Sequence, residues 1–99
     1  MQKEIKKLVE LKLYSKDNAS EWATLINEYY ESLKETAKGI VLKWRYFEKK
    51  NYWRCLRELQ KIKFYSEKDN FYKLVNEIIN DIALRASFER LINPYEFEL

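Results

Sequence analysis

Apolar residues recur at steps of three and four in four stretches of the chain, the spacing that gathers them on one side of a helix turning about 100° per residue. The first stretch, from about Gln2 to Tyr14, places Ile5, Leu8 and Val9 together, with Leu11 and Leu13 widening the face. Polar residues from Ser15 to Ser20 interrupt it, and there Asn18 is the expected N-cap of the next helix, with Glu21 reaching back to it. The second stretch is the clearest: Trp22, Leu25, Ile26, Tyr29, Leu33, Ala37, Ile40, Trp44 and Phe47 fall on one stripe. The stripe keeps phase across Gly39, the only glycine, so the pattern predicts one long helix from about residue 19 to 49 with Gly39 on its outer side. A hairpin pairing Ile40-Val41 with Tyr46-Phe47 is the competing reading of the same residues.

That helix would span about 46 Å at 1.5 Å per residue, while a compact domain of this length has a radius of gyration of only about 13 Å. The helix must therefore bend near Gly39, or project and have its stripe covered by a partner. The third stretch, about Asn51 to Tyr65, gathers Tyr52, Cys55, Leu56, Leu59 and Ile62 on one face. The fourth opens on Ser66-Glu67-Lys68-Asp69, a capping box, and runs to Ile92, where Asn93-Pro94 stops it. Phe71, Leu74, Val75, Ile78, Ile79, Ile82 and Ala86 form its main stripe. Leu84, Phe88 and Leu91 form a second face roughly opposite, so the end of this helix is expected to meet something other than its own core.

Composition narrows the picture to an all-α, single-domain bundle of about four helices covering residues 1–99. One glycine and one proline in 99 residues leave almost no chemistry for the tight turns of sandwiches and barrels. Apolar residues at 46% are enough to drive folding, and no apolar run is long enough for a signal peptide or membrane span, so a cytoplasmic protein is expected. The absence of histidine removes Ser-His-Asp and Cys-His catalysis, zinc fingers and Glu-x-x-His di-iron sites. The single glycine excludes a phosphate-binding loop, and the single cysteine, Cys55, excludes an internal disulfide and reads as a small buried apolar residue. Glu28, Glu31 and Glu35, and likewise Glu77 and Asp81, are spaced like paired carboxylates but read as solvated helix faces. No cofactor, metal or small-molecule substrate is indicated, and the chain is expected to act by binding rather than catalysis.

Charge is segregated. Residues 1–33 carry a net −1, residues 34–68 a net +7 and residues 69–99 a net −3. Within the basic third, Lys50, Arg54, Arg57 and Lys61 share one face of the third helix, opposite its apolar face, with Trp53 and Phe64 at its margins. A line of cations flanked by rings suits a nucleic-acid backbone and exposed bases; four phosphate contacts would give a log-affinity slope on log salt of about −3 to −4. The alternative is a solvated face whose cations pair with Glu48, Glu58 or the acidic flanks.

Sixteen aromatic residues are more than so small a bundle easily buries. Tyr30, Tyr46, Trp53, Phe64, Tyr72 and Phe88 fall off or at the margins of the apolar stripes, and some are expected to meet another subunit. Trp53, Leu84, Phe88, Leu91, Tyr95 and Phe97 are the candidate interface, and residues 93–99 form a tail that docks on a neighbour or frays. Self-association, with a dimer as the simplest form, is the first functional expectation, and nucleic-acid binding through the basic face is the second.

Fourteen lysines and thirteen glutamates against three aspartates, with few glutamines and abundant isoleucine and tyrosine, match a heat-adapted or AT-rich source. In length and in this character the chain resembles the small helical proteins of the filamentous and rod-shaped viruses of hot-acid archaea, the lipothrixviruses and rudiviruses. The resemblance implies a host cytoplasm or virion setting and tolerance of heat and acid.

Overall fold

The computed structural model describes residues 3–15 and 20–92 and places five α-helices and no strand in them. Helix α1 (Lys3–Tyr14) buries Ile5, Val9 and Leu13, while Leu11 points to solvent instead of widening that face. Helix α2 (Glu21–Leu33) starts at Ser20, whose hydroxyl accepts from the Ala23 N–H at 3.1 Å. The expected cap Asn18 lies outside the described residues. Trp22, Leu25, Ile26 and Tyr29 form the buried face of α2.

The single helix expected over residues 19–49 is instead two rods joined at residues 34–36, and Thr36 makes the joint. Its N–H and its hydroxyl both donate to the Leu33 carbonyl, at 2.9 and 2.7 Å, which closes α2. Its Oγ1 accepts from the Gly39 N–H at 3.2 Å, which opens α3 (Ala37–Val41). Gly39 is buried rather than outward-facing, and a Cβ there would overlap the Leu33 carbonyl group. The expected stripe is the buried face only before the joint, at Trp22, Leu25, Ile26 and Tyr29. Periodicity reports which side of a helix is covered and says nothing about where its axis points.

Helix α3 continues into a π-helical stretch, Leu42–Phe47, after which the Glu48 N–H reaches the Lys43 carbonyl five residues back at 2.8 Å. Val41 at the end of α3 and Leu42 and Tyr46 in the π stretch are fully buried, and Ile40, Trp44 and Phe47 of the expected stripe are half-buried at the edge of the core. Tyr46, one of the six rings off the stripes of which some are expected to meet another subunit, is thus a core residue, and Tyr30 and Phe64 also pack against the core. The competing hairpin over these residues does not form.

Asn51 caps α4 (Tyr52–Lys61) by accepting from the Arg54 N–H at 3.0 Å. The longest helix is α5 (Lys68–Phe88), 21 residues, whose N-cap is Glu67 with no side-chain cap bond. The expected capping box therefore does not form; the Ser66 hydroxyl donates to the Glu67 carbonyl instead. At the other end, Arg90 takes φ 59° and the Leu91 N–H turns back to the Ala86 carbonyl at 2.8 Å, stopping α5 four residues before Ile92. With glycine absent, the helix stops at Lys49, Lys63 and Arg90 all use a long cationic residue at positive φ, each about 1 kcal/mol costlier than glycine there.

Helix α5 is the centre of the bundle, packing on α1, α2 and α3. A polar clamp reinforces this packing. The Tyr29 hydroxyl of α2 donates to Asp81 of α5 at 2.6 Å, and Lys38 of α3 reaches the same carboxylate at 3.0 Å and Glu77 at 3.6 Å. Burial, followed by the hydrogen bond to Asp81, pushes the Tyr29 hydroxyl far above the ordinary tyrosine range, so it stays a donor. The Glu77 and Asp81 carboxylates, expected on a solvated face, thus tie three helices together. The described residues have a radius of gyration of 13.5 Å and a longest extent of 39 Å, too short for the continuous helix.

Gly39→Ala tests the joint through the sign of its effect. In the interior of a continuous exposed helix the change stabilises by about 1 kcal/mol. Here the new methyl meets backbone, and a loss of about 1–3 kcal/mol is expected in denaturant unfolding.

Candidate binding surfaces

Four cations were expected in one line on α4, and the structure divides them. Glu58, on the same helix, is only 6% exposed and sits between two of them. Its carboxylate accepts from Arg54 Nε at 3.2 Å and from Lys61 Nζ at 3.0 Å. The hydrogen bond from Lys61, with that from Arg54, holds the Glu58 carboxyl below the usual carboxylate range. Arg54 is further fixed against the Trp44 ring, its guanidinium 4.6 Å from the ring centroid, while Lys43 lies 5.2 Å from the same ring. Lys50 and Arg57 are exposed and form no ion pair among the described residues.

The two rings expected beside the cations also part company. Phe64 is packed on the core, whereas Trp53 is 72% exposed. Trp53 is the outer member of an aromatic series: its ring meets Tyr52 edge-on at 5.2 Å, and Tyr52 meets Phe71 at 4.9 Å and lies nearly parallel to Tyr72 at 6.3 Å. Arg45 underlies this series, its guanidinium within 6 Å of the Tyr46, Phe71 and Tyr72 rings. Its Nε and the Tyr46 hydroxyl are buried without a hydrogen-bond partner among the described residues, and burial pushes the Tyr46 hydroxyl up to about 12. The first surface is therefore an exposed indole with two free cations, seated on a rigid aromatic base.

The second surface lies at the far end of α5. Phe88 is 80% exposed and Leu84 50% exposed, the outward face expected of them, and Leu91 is half-buried against the core. Phe88 and Leu91 line a groove of about 390 Å³ with Leu25, Thr24, Glu21, Glu28, Arg85 and Glu89. Arg85 lies over the Tyr29 ring, 5.1 Å from its centroid. The three glutamates form no ion pair among the described residues, so the groove has an apolar floor and an acidic rim. Tyr95 and Phe97, expected in the same interface, lie outside the described residues. Trp53 does not join Leu84 and Phe88 in one patch, because its aromatic series runs to the first turns of α5 and theirs is its last.

Cys55 is fully buried, and burial pushes its thiol up, so it is held as a small apolar side chain. Among the described residues no three acidic or sulfur ligands gather as a metal site. No helix among them is long and apolar enough to cross a membrane.

Comparison with protein-family models, curated proteins and solved structures finds no match. The two surfaces are what the molecule offers for a functional reading.

Pairing of the basic face with Glu58 is the alternative that the sequence offered, and Arg54 and Lys61, at spacings of four and three from it on one helix, follow it. What sequence reasoning missed is the clamp on Asp81, because Lys38 and Asp81 meet only through the joint at Thr36.

Glu58→Gln is expected to lower stability by about 0.5–1 kcal/mol at neutral pH, since two partly exposed pairs are lost. A carboxylate whose folded value is depressed stabilises above its unfolded value and ceases to do so as pH falls through the folded one. The gap between wild type and variant should therefore close as urea titrations are carried below the ordinary carboxylate range.

Proposed function

We propose that the protein acts by binding, without catalysis, and that its first partner is a copy of itself. The observation carrying this reading is the pair of exposed apolar surfaces on a chain whose core is otherwise filled. Phe88 and Leu84 at one end of α5, and Trp53 near the other, leave large side chains in water beside charged rims, the anatomy of interaction patches rather than scattered surface residues. Each patch is small, so the association is expected to be concentration-dependent, with a dissociation constant on the order of micromolar.

A second reading has a specific observation behind it. Arg57, one turn after the exposed Trp53 on α4, and Lys50, just before the Asn51 cap, are exposed and form no ion pair among the described residues, and a single nucleic-acid strand would place phosphates on these cations and a base on the indole. With Arg54 and Lys61 committed to Glu58, this reading uses two cations instead of four, and the expected salt slope on a single strand falls to about −1.4.

Light scattering after size exclusion, run over a range of loading concentrations, tests the first reading. Wild type is expected to exceed the monomer mass as concentration rises, and Phe88→Ser to return it to monomer with an unchanged circular dichroism spectrum. A wild type that stays monomeric at every concentration contradicts self-association.

A further inference from the structure

We infer that copies of this chain join head to tail, the Trp53 face of α4 on one copy seating in the acidic groove at the carboxyl end of α5 on the next. The inference rests on the self-association reading and adds its geometry, its specificity and its open-ended character.

Charge decides the arrangement. A two-fold contact presents the same patch from both copies. If the groove faced itself, Glu21, Glu28 and Glu89 would meet their own counterparts with Arg85 already turned onto Tyr29. If the α4 face met itself, Lys50 and Arg57 would do the same. Like charges brought together at an interface oppose association, whereas complementary patches attract and fix the register. Crossing the two patches brings free cations to free carboxylates, since neither set has an ion pair within its own chain.

Shape agrees with charge. Trp53 is a projecting ring held from behind by Tyr52, so little side-chain freedom is lost when it is covered. The groove of about 390 Å³ offers Leu25, Phe88 and Leu91 as apolar contacts for a ring within a lining that is otherwise polar and mostly acidic, and its size suits a ring system. The two cannot meet within one chain. Tyr72, beside the Trp53 series, and Phe88, in the groove, are 16 residues apart on α5, about 24 Å along a helix axis. Each copy therefore carries one plug and one socket at opposite ends, and a heterologous contact of this kind closes into a ring or extends into a filament.

Two variants separate this arrangement from every alternative. Trp53→Ser with Arg57→Glu removes the plug and keeps the socket; Phe88→Ser with Glu28→Lys does the reverse. All four positions are exposed, and circular dichroism checks that both variants fold. In sedimentation velocity, wild type is expected to grow beyond a dimer with concentration and to fall back toward monomer in high salt. Each variant alone is expected to be monomeric, and their equimolar mixture to give a one-to-one heterodimer that grows no further. If wild type self-associates but the mixture stays monomeric, or one variant alone still dimerises, the head-to-tail mode is wrong while self-association stands. If wild type is monomeric throughout, both fail. If that monomer instead shifts a fluorescent single-stranded oligonucleotide, and only the plug variant loses the shift, the α4 face belongs to nucleic acid and the inference is overturned.

Discussion

The arrangement of this molecule depends on how closely the start of α3 approaches the end of α2. Gly39 lies against the Leu33 carbonyl with no room for a methyl group, and Thr36 satisfies both helix ends at that point. Because the rods press together there, the chain turns back instead of continuing. Lys38 is thereby carried to Asp81 and Glu77 on α5, and the π-helical stretch that follows rotates Tyr46 into the core and Arg45 onto the aromatic rings of Phe71 and Tyr72. Those rings are the base on which Tyr52 and then Trp53 stand. The outermost functional candidate is thus connected, contact by contact, to one close backbone approach.

The all-α class and most of the core were legible in the sequence, since Val9, Leu25, Tyr29, Cys55, Leu59, Val75 and Ile82 all sit on the faces that their spacing assigned to them. What could not be read was direction. The stripe from Trp22 is the buried face as far as Tyr29, but past the joint Val41, Leu42 and Tyr46 take the core while Ile40, Trp44 and Phe47 are half-buried, and a one-dimensional pattern cannot register a reversal of axis. The stripe puts Gly39 on the outer side of a helix, whereas the structure uses it where two helices approach closely. Helix ends were misplaced for a related reason. With one glycine in the chain, the left-handed stops fall on Lys63 and Arg90, residues that carry no stop signal.

The candidate surfaces show the same division. Exposure of Trp53, Leu84 and Phe88 followed from their positions off the apolar stripes. Burial of Tyr46 and the packing of Phe64 did not, because a π turn and a chain reversal bring new neighbours to those angles. The basic face illustrates how a charge count misleads: Glu58, nearly buried, neutralises part of the line from within and leaves Lys50 and Arg57 as its unpaired members among the described residues. The molecule then presents opposite charge around opposite ends of its longest helix, a polarity that composition showed only as a difference between segments.

The distance between residues 21 and 48 tests the central constraint most directly. Nitroxide labels placed by Glu21→Cys and Glu48→Cys, with the buried Cys55 left unlabelled, can be measured by pulsed electron spin resonance. Ser20 and Trp22 line the same groove of about 300 Å³ as Phe47 and Lys49, so the two labels are expected close together. A separation well under half of the roughly 40 Å that a continuous helix imposes between these positions is the predicted result. A distribution centred near that full length would contradict the joint at Thr36 and, with it, every contact described beyond it.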